Sequence, residues 1–218
     1  MSLTTDLANI KASFRDGRDP EILAKMDRAT EELGESGIVD RSLKVGDRIP
    51  AFSLPNIAGE EVKISDFLTK GLTIISFYRG GWCPYCNMEL RALQQYLPQF
   101  QALGAELVAI TPETPDNSLT TTEKNELSFA VLSDVGNKIA RQFGLVFVLP
   151  EYLRSVYEKF GIDLPAYNGD QTFELPVPAT YVVDREGKII HAYANIDYTQ
   201  RLDPEVILGV LQQAAATI

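Results

Sequence analysis

Apolar residues recur along this chain first with a helical period and then in short strand-like runs. Leu3, Leu7, Ile10 and Phe14 are spaced by four, three and four, which puts them on one helix face. Asp19-Pro20-Glu21 is a helix start, with a capping aspartate and a proline at the first helical position. Ile22, Met26, Ala29 and Leu33 then repeat the helical spacing, and Gly34-Glu35-Ser36-Gly37 ends it. From about Leu43 the pattern becomes alternating strands and helices. Phe52-Ser53-Leu54 and Glu61-Val62-Lys63-Ile64 read as short strands around a turn at Ala58-Gly59. Leu72 to Tyr78 is a continuous apolar, β-like run, the signature of a strand buried on both faces.

A helix follows that strand, with Leu90, Leu93, Leu97 and Phe100 on one face and Pro98 inside, where a kink is expected. Glu106 to Ile110 is the next strand. Thr114-Pro115-Asp116 opens a helix to about Leu127, Phe129 to Leu132 is strand-like, and Lys138 to Phe143 is a short helix. Residues 144–177 are rich in aromatics and prolines and yield only a candidate helix from Glu151 to Phe160. Ala179 to Asp184, a turn at Arg185-Glu186-Gly187, and Lys188 to Tyr193 form a β-hairpin. Asp203-Pro204-Glu205 caps a last helix carrying Val206, Val210, Leu211 and Ala214. Such βα units ending in a hairpin and a helix predict an α/β sheet with helices on both faces. The domain reading is an N-terminal helical extension, 1–42, before a single domain, 43–218.

Composition narrows the function classes. The net charge of −10 argues against nucleic-acid or anionic-membrane partners. The polar start Met1-Ser2-Leu3-Thr4-Thr5-Asp6 lacks a signal-peptide pattern, and no apolar run approaches the ~20 residues of a membrane span, so a cytoplasmic location is expected. The apolar stripes of the N-terminal helices require cover, from their own domain or from a second copy in a homodimer.

The chemistry is concentrated at the chain's two cysteines, in Cys83-Pro84-Tyr85-Cys86, directly after Trp82 and between the central strand and its helix. A close pair in a reducing compartment reads as catalytic or metal-binding. Zinc usually takes four ligands, and the chain has two cysteines and one histidine, His191, so no metal is expected. A helix N-terminus contributes about 0.5–2 kcal/mol to an anion, which lowers a thiol by about one pKa unit. Arg79 is placed to add positive charge.

This order of elements, with a CxxC after a central strand, resembles the thioredoxin fold: a central mixed sheet flanked by helices. It resembles most closely the peroxiredoxin branch, the alkyl hydroperoxide reductase and thiol-specific antioxidant family. The matching pieces are Val45 to Leu54, the Phe77-Tyr78 strand end and Pro178 to Lys188, within about residues 43–218. The resemblance places the family's peroxidatic cysteine on Cys86, and Glu89 fits the following helix. Three positions depart: Arg79 stands where the family has a proline, Cys83 where it has threonine or serine, and Pro178 where it has an arginine. The tetrapeptide is glutaredoxin-type, Trp82 is thioredoxin-like, and Val177-Pro178-Ala179-Thr180 looks like a thioredoxin cis-proline segment.

Two orders of attack follow. By the peroxiredoxin resemblance, Cys86 attacks a hydroperoxide, becomes a sulfenic acid and is resolved by Cys83. By the thioredoxin resemblance, Cys83 is the more exposed thiol and attacks a disulfide. A third reading, of a different class, is a binding module whose surface around Trp82 changes with oxidation. The enzyme readings need no cofactor beyond the redox-active disulfide and take electrons from a thioredoxin- or glutaredoxin-type reductant. Lacking the family's threonine and arginine, the peroxidase is expected to be slow, since losing one such donor costs about 10²–10³ in rate.

Overall fold

The computed structural model describes residues 2–216. Helices α1 (Leu3–Arg15) and α2 (Pro20–Glu35) and the short α3 (Ile38–Arg41) precede a hairpin of β1 (Ser53–Pro55) and β2 (Glu61–Lys63). Then come α4 (Ser65–Leu68), β3 (Thr73–Phe77), α5 (Pro84–Ala102), β4 (Glu106–Thr111), α6 (Pro115–Lys124), β5 (Ala130–Ser133) and α7 (Lys138–Gln142). The segment without a clear sequence pattern holds β6 (Val146–Val148), α8 (Glu151–Lys159), α9 (Leu164–Asn168) and β7 (Glu174–Pro176). The chain closes with β8 (Ala179–Val183), β9 (Ile189–Ala194) and α10 (Pro204–Ala215).

The central sheet has the order β5-β4-β3-β8-β9. β3 runs parallel to β4 and antiparallel to β8, so the sheet is mixed, as the resemblance implies. Every residue of β3 is buried because helices cover both faces. Side-chain alternation divides the core accordingly. Ile74 packs with Leu90, Leu93 and Leu97 of α5, Ile207 and Leu211 of α10, and Leu3 and Leu7 of α1. Ile75 and Phe77 point the other way, to Phe67 of α4, Ile139 of α7 and Phe52 and Leu54 of the first hairpin.

Capping chemistry sets the helix starts. Asp19 and Asp203 each accept a hydrogen bond from the backbone N–H two residues on, ahead of Pro20 and Pro204. Helix α5 continues through Pro98 to Ala102. In α10 the buried face differs from the expected one. Val206 is 46% exposed, whereas Ile207 and Leu211, four apart, are fully buried. Docking on α5 selects the stripe with the larger side chains, and Val206 falls one position outside it.

Both N-terminal helices pack on this chain, α1 closely and α2 only in part. Leu3 and Leu7 of α1 join the α5 cluster. Helix α2 has no fully buried residue; its Ile22, Met26 and Ala29 lie partly buried against a cluster that includes Leu149, Leu153, Val156 and Tyr157. Among the described residues no helix is long and apolar enough to cross a membrane.

Candidate active site

The site grows from the C-terminal end of β3. Tyr78 continues the ladder through its N–H to Ile110 O, and the chain then turns through Arg79-Gly80-Gly81-Trp82 into α5. Both glycines are sterically required. A Cβ on Gly80, whose φ is 152°, would lie 2.2 Å from Trp82 Nε1, and one on Gly81 would lie 1.9 Å from Thr121 Oγ1. Side chains from other elements pin the loop. Gly81 N donates to Glu113 Oε1 at 3.0 Å, and Gly81 O accepts from Asn87 Nδ2 at 2.7 Å. Asn125 Nδ2 in turn donates to Asn87 Oδ1 at 2.8 Å, and Arg91 Nη1 to Asn125 Oδ1 at 2.9 Å.

Cys83 is the N-cap residue of α5, with Pro84 in the first helical position, and Cys86 lies in the first turn. Both are free thiols, and both are buried, at 1% and 0% exposure. The thioredoxin-like expectation of an exposed Cys83 is therefore corrected: it lies inside the α5 core cluster, against which Trp82 packs. Burial alone would raise the Cys83 thiol. The hydrogen bond from the Cys86 thiol, the charges of Arg79 and Arg201 and the Cys86 backbone N–H outweigh it and bring Cys83 down to about 6. Burial and the proton shared with Cys83 push the Cys86 thiol up. The pair thus favours a thiolate on Cys83 over one on Cys86.

Two arginines flank the pair. Arg201 Nη2 donates to Cys86 Sγ at 3.2 Å, and Arg201 Nε to Glu89 Oε2 at 2.5 Å, with all three side chains buried. Arg201 is further held by the Tyr198 carbonyl and by Gln200 O at 2.8 Å. Burial lifts the Glu89 carboxyl to about 7 against the pull of Arg201. Arg79, at 2% exposure, donates to the Tyr157 hydroxyl. It also lies over the rings of Tyr198 at 4.4 Å, Trp82 at 4.9 Å and Tyr157 at 5.8 Å. A second acid, Glu113, is fully buried behind the Gly81 loop and is raised by burial to about 7.

The structure brings five of the six sequence-predicted positions, Cys83, Cys86, Trp82, Arg79 and Glu89, into one cluster. Pro178 lies at its edge, lining a cavity with Arg79 and Tyr198. The cis-proline expectation is corrected: among the described residues there is no cis peptide bond. Pro178 instead leads into β8, whose Ala179 pairs with Phe77. Arg79, expected to add positive charge, is buried. Sequence reasoning missed Arg201, Glu113, Tyr157 and Tyr198. Arg201 stands 112 residues from Glu89 in a polar loop ahead of α10, and nothing local distinguishes it from a solvated arginine. The missing family arginine at Pro178 was the one available signal, since it leaves Glu89 needing a cation from elsewhere. His191 pairs with Val182 in β9 as an ordinary strand residue. Among the described residues no cluster of His, Cys, Asp and Glu could hold a metal ion.

Comparison with known proteins places the chain beside one family. The profile of the AhpC/TSA family matches residues 45–192. A Buchnera aphidicola protein bearing the name peroxiredoxin bcp is 35% identical over 104 residues, 48% of this chain and 65% of the relative, just under two thirds of its length. Peroxiredoxin Bcp of Escherichia coli K12 is 27% identical over 79% of this chain and 98% of its own. The crystal structure of peroxidoxin BcpB from Mycobacterium tuberculosis superposes with a TM-score of 0.62 at 20% identity, covering 78% of this chain and 97% of that one. At that identity the superposition establishes the shared thioredoxin-like fold.

Proposed function

The chain belongs to the AhpC/TSA family, and from that premise we propose that it is a thiol-dependent peroxidase with Cys86 as the peroxidatic and Cys83 as the resolving cysteine. The carrying observation is the Arg201 guanidinium, which bonds Cys86 Sγ at 3.2 Å and is oriented by Glu89 at 2.5 Å. It supplies the positive charge and the N–H donor that the family pattern carries as an arginine at the position of Pro178. The Nη2 donor at the sulfur favours the Cys86 thiolate and stands where charge would develop on an attacked peroxide oxygen.

The reaction starts from the singly ionised pair. The shared proton passes to Cys83, and the Cys86 thiolate attacks one peroxide oxygen. The O–O bond breaks, Cys86 becomes a sulfenic acid, and the leaving alkoxide or hydroxide takes the Cys83 proton. The Cys83 thiolate then attacks Cys86 sulfur, an S–S bond forms, and hydroxide leaves as water with a proton from solvent. An external dithiol of the thioredoxin or glutaredoxin type reduces the disulfide, and no other cofactor takes part. The division into an extension, 1–42, and a catalytic domain, 43–218, and a location in a reducing cytoplasm belong to the same proposal.

A second order of attack, Cys83 on a disulfide substrate, is favoured by one observation, the ionisation of Cys83 near 6. Mass spectrometry of the single-cysteine variants after limited hydrogen peroxide separates the two. The expected result is a sulfenic acid on Cys86 in Cys83→Ser, and in Cys86→Ser no oxidation of Cys83 faster than a free thiol. Equal or faster oxidation of Cys83 in Cys86→Ser overturns the assignment.

A further inference from the structure

Arg79 is a buried cation with spare capacity. Among the described residues no carboxylate pairs with it, and its Nε has no hydrogen-bond partner. Arg79 lines a cavity of about 360 Å³ that neither cysteine lines. Met26 and Leu33 of α2 roof this cavity, Phe147 and Leu153 of the β6–α8 segment wall it, and Tyr198 lies beside Arg79. Helix α2 stands over the space instead of closing it, which is why its apolar stripe is only partly buried. Two further charges line the space. Glu32 is engaged by Tyr152 and Arg28, and Arg41 by Ser36 O.

A dry cavity of about 150 Å³ accommodates benzene, so this one has room for an apolar body of about eight to ten carbons. An amphiphile with an anionic head suits a guanidinium held in apolar surroundings, because the pair forms charge-assisted, forked hydrogen bonds. We propose that this cavity binds a medium-length monocarboxylate, its head on the Arg79 guanidinium and its apolar body between α2 and α8. The roof lies in a segment outside the family match at residues 45–192. The ligand also regulates the thiols. Arg79 is one of the charges that favour the Cys83 thiolate, and a bound carboxylate neutralises it. This regulatory step rests on the reading of Cys83 and Cys86 as the reactive pair; the binding step does not.

The test uses the reduced full-length protein with octanoate as probe, octanol as the uncharged match and acetate as the head without the body. Calorimetry is expected to show octanoate binding, with octanol and acetate weaker by about tenfold or more. Saturating octanoate is expected to move the ultraviolet thiolate titration up by about one pH unit. Leu33→Trp fills the cavity and is expected to lose octanoate binding while keeping its own thiol titration; Ala29→Phe serves if that variant fails to fold. Octanol binding as tightly as octanoate, or undiminished octanoate binding in the filled variant, overturns the site. Bound octanoate with an unmoved titration overturns the regulation. Hydrogen peroxide turnover without octanoate is measured separately, and its failure with octanoate binding intact sinks the peroxidase reading but not the site.

Discussion

Among single residues, Arg201 is the cation in direct contact with a thiol. It bonds the sulfur of Cys86 and the carboxylate of Glu89 while almost fully buried. Arg201→Gln should lower the second-order rate with hydrogen peroxide by about 10²–10³, as loss of a transition-state donor does. Stopped-flow fluorescence of Trp82, the chain's one tryptophan, reads that rate. A purely structural role would leave the thiols alone, so the thiolate titration is the discriminating readout. It should rise above its starting value near 6, because Arg201 is among the charges that hold Cys83 down. Cys83, Cys86 and Glu89 were legible in sequence because they lie within six residues of each other, at the start of one helix. Arg201 was not, because its partner is 112 residues away and its own neighbours are ordinary loop residues.

At the scale of elements, the N-terminal extension is tied to the site. Leu7 of α1 is 3% exposed in the cluster that also contains Cys83 and Cys86. Lys11 on the same helix pairs with Asp197 at 2.7 Å. Asp197 accepts from Thr199 N at 3.0 Å and Thr199 Oγ1 at 2.6 Å, fixing the turn that delivers Tyr198 and Arg201. Leu7→Ala should cost about 2–5 kcal/mol in urea unfolding, through lost burial and the cavity left behind. Lys11→Met should cost less than about 1 kcal/mol, because the pair is partly solvated. If Leu7→Ala unfolds at the wild-type midpoint, α1 is not part of the folded core. Periodicity alone revealed α1, α2 and α5. The pairing of β6 with β7 left no such trace, since Val146 meets Pro176 across thirty residues and each strand is only three residues long.

At the scale of the whole molecule, buried acids give the fold a pH dependence of definite sign. Burial raises Glu89 and Glu113 from 4.5 to about 7, so between those values the folded state binds more protons than the unfolded one. The stability they contribute is full below about 4.5 and is lost as pH rises through about 7. Cys83 works in the opposite sense, adding stability only as pH rises through about 6. Between about 4.5 and 6 the urea midpoint of the reduced protein should therefore fall as pH rises. Glu113→Gln, which cannot ionise, should lose its share of that slope, at most about 3 kcal/mol over the full window. An unchanged slope in that variant would show Glu113 to be already ionised in the fold. The sequence by itself determined the βα order, the central strand, the capped helices and the thiol pair at a helix start, because periodicity, caps and short spacing are local properties. Only the tertiary structure decided that both thiols are buried, that Arg201 answers Glu89, that Arg79 lies in an aromatic cage and that Pro178 is trans. Each of these depends on packing against distant elements, which the local chain leaves open.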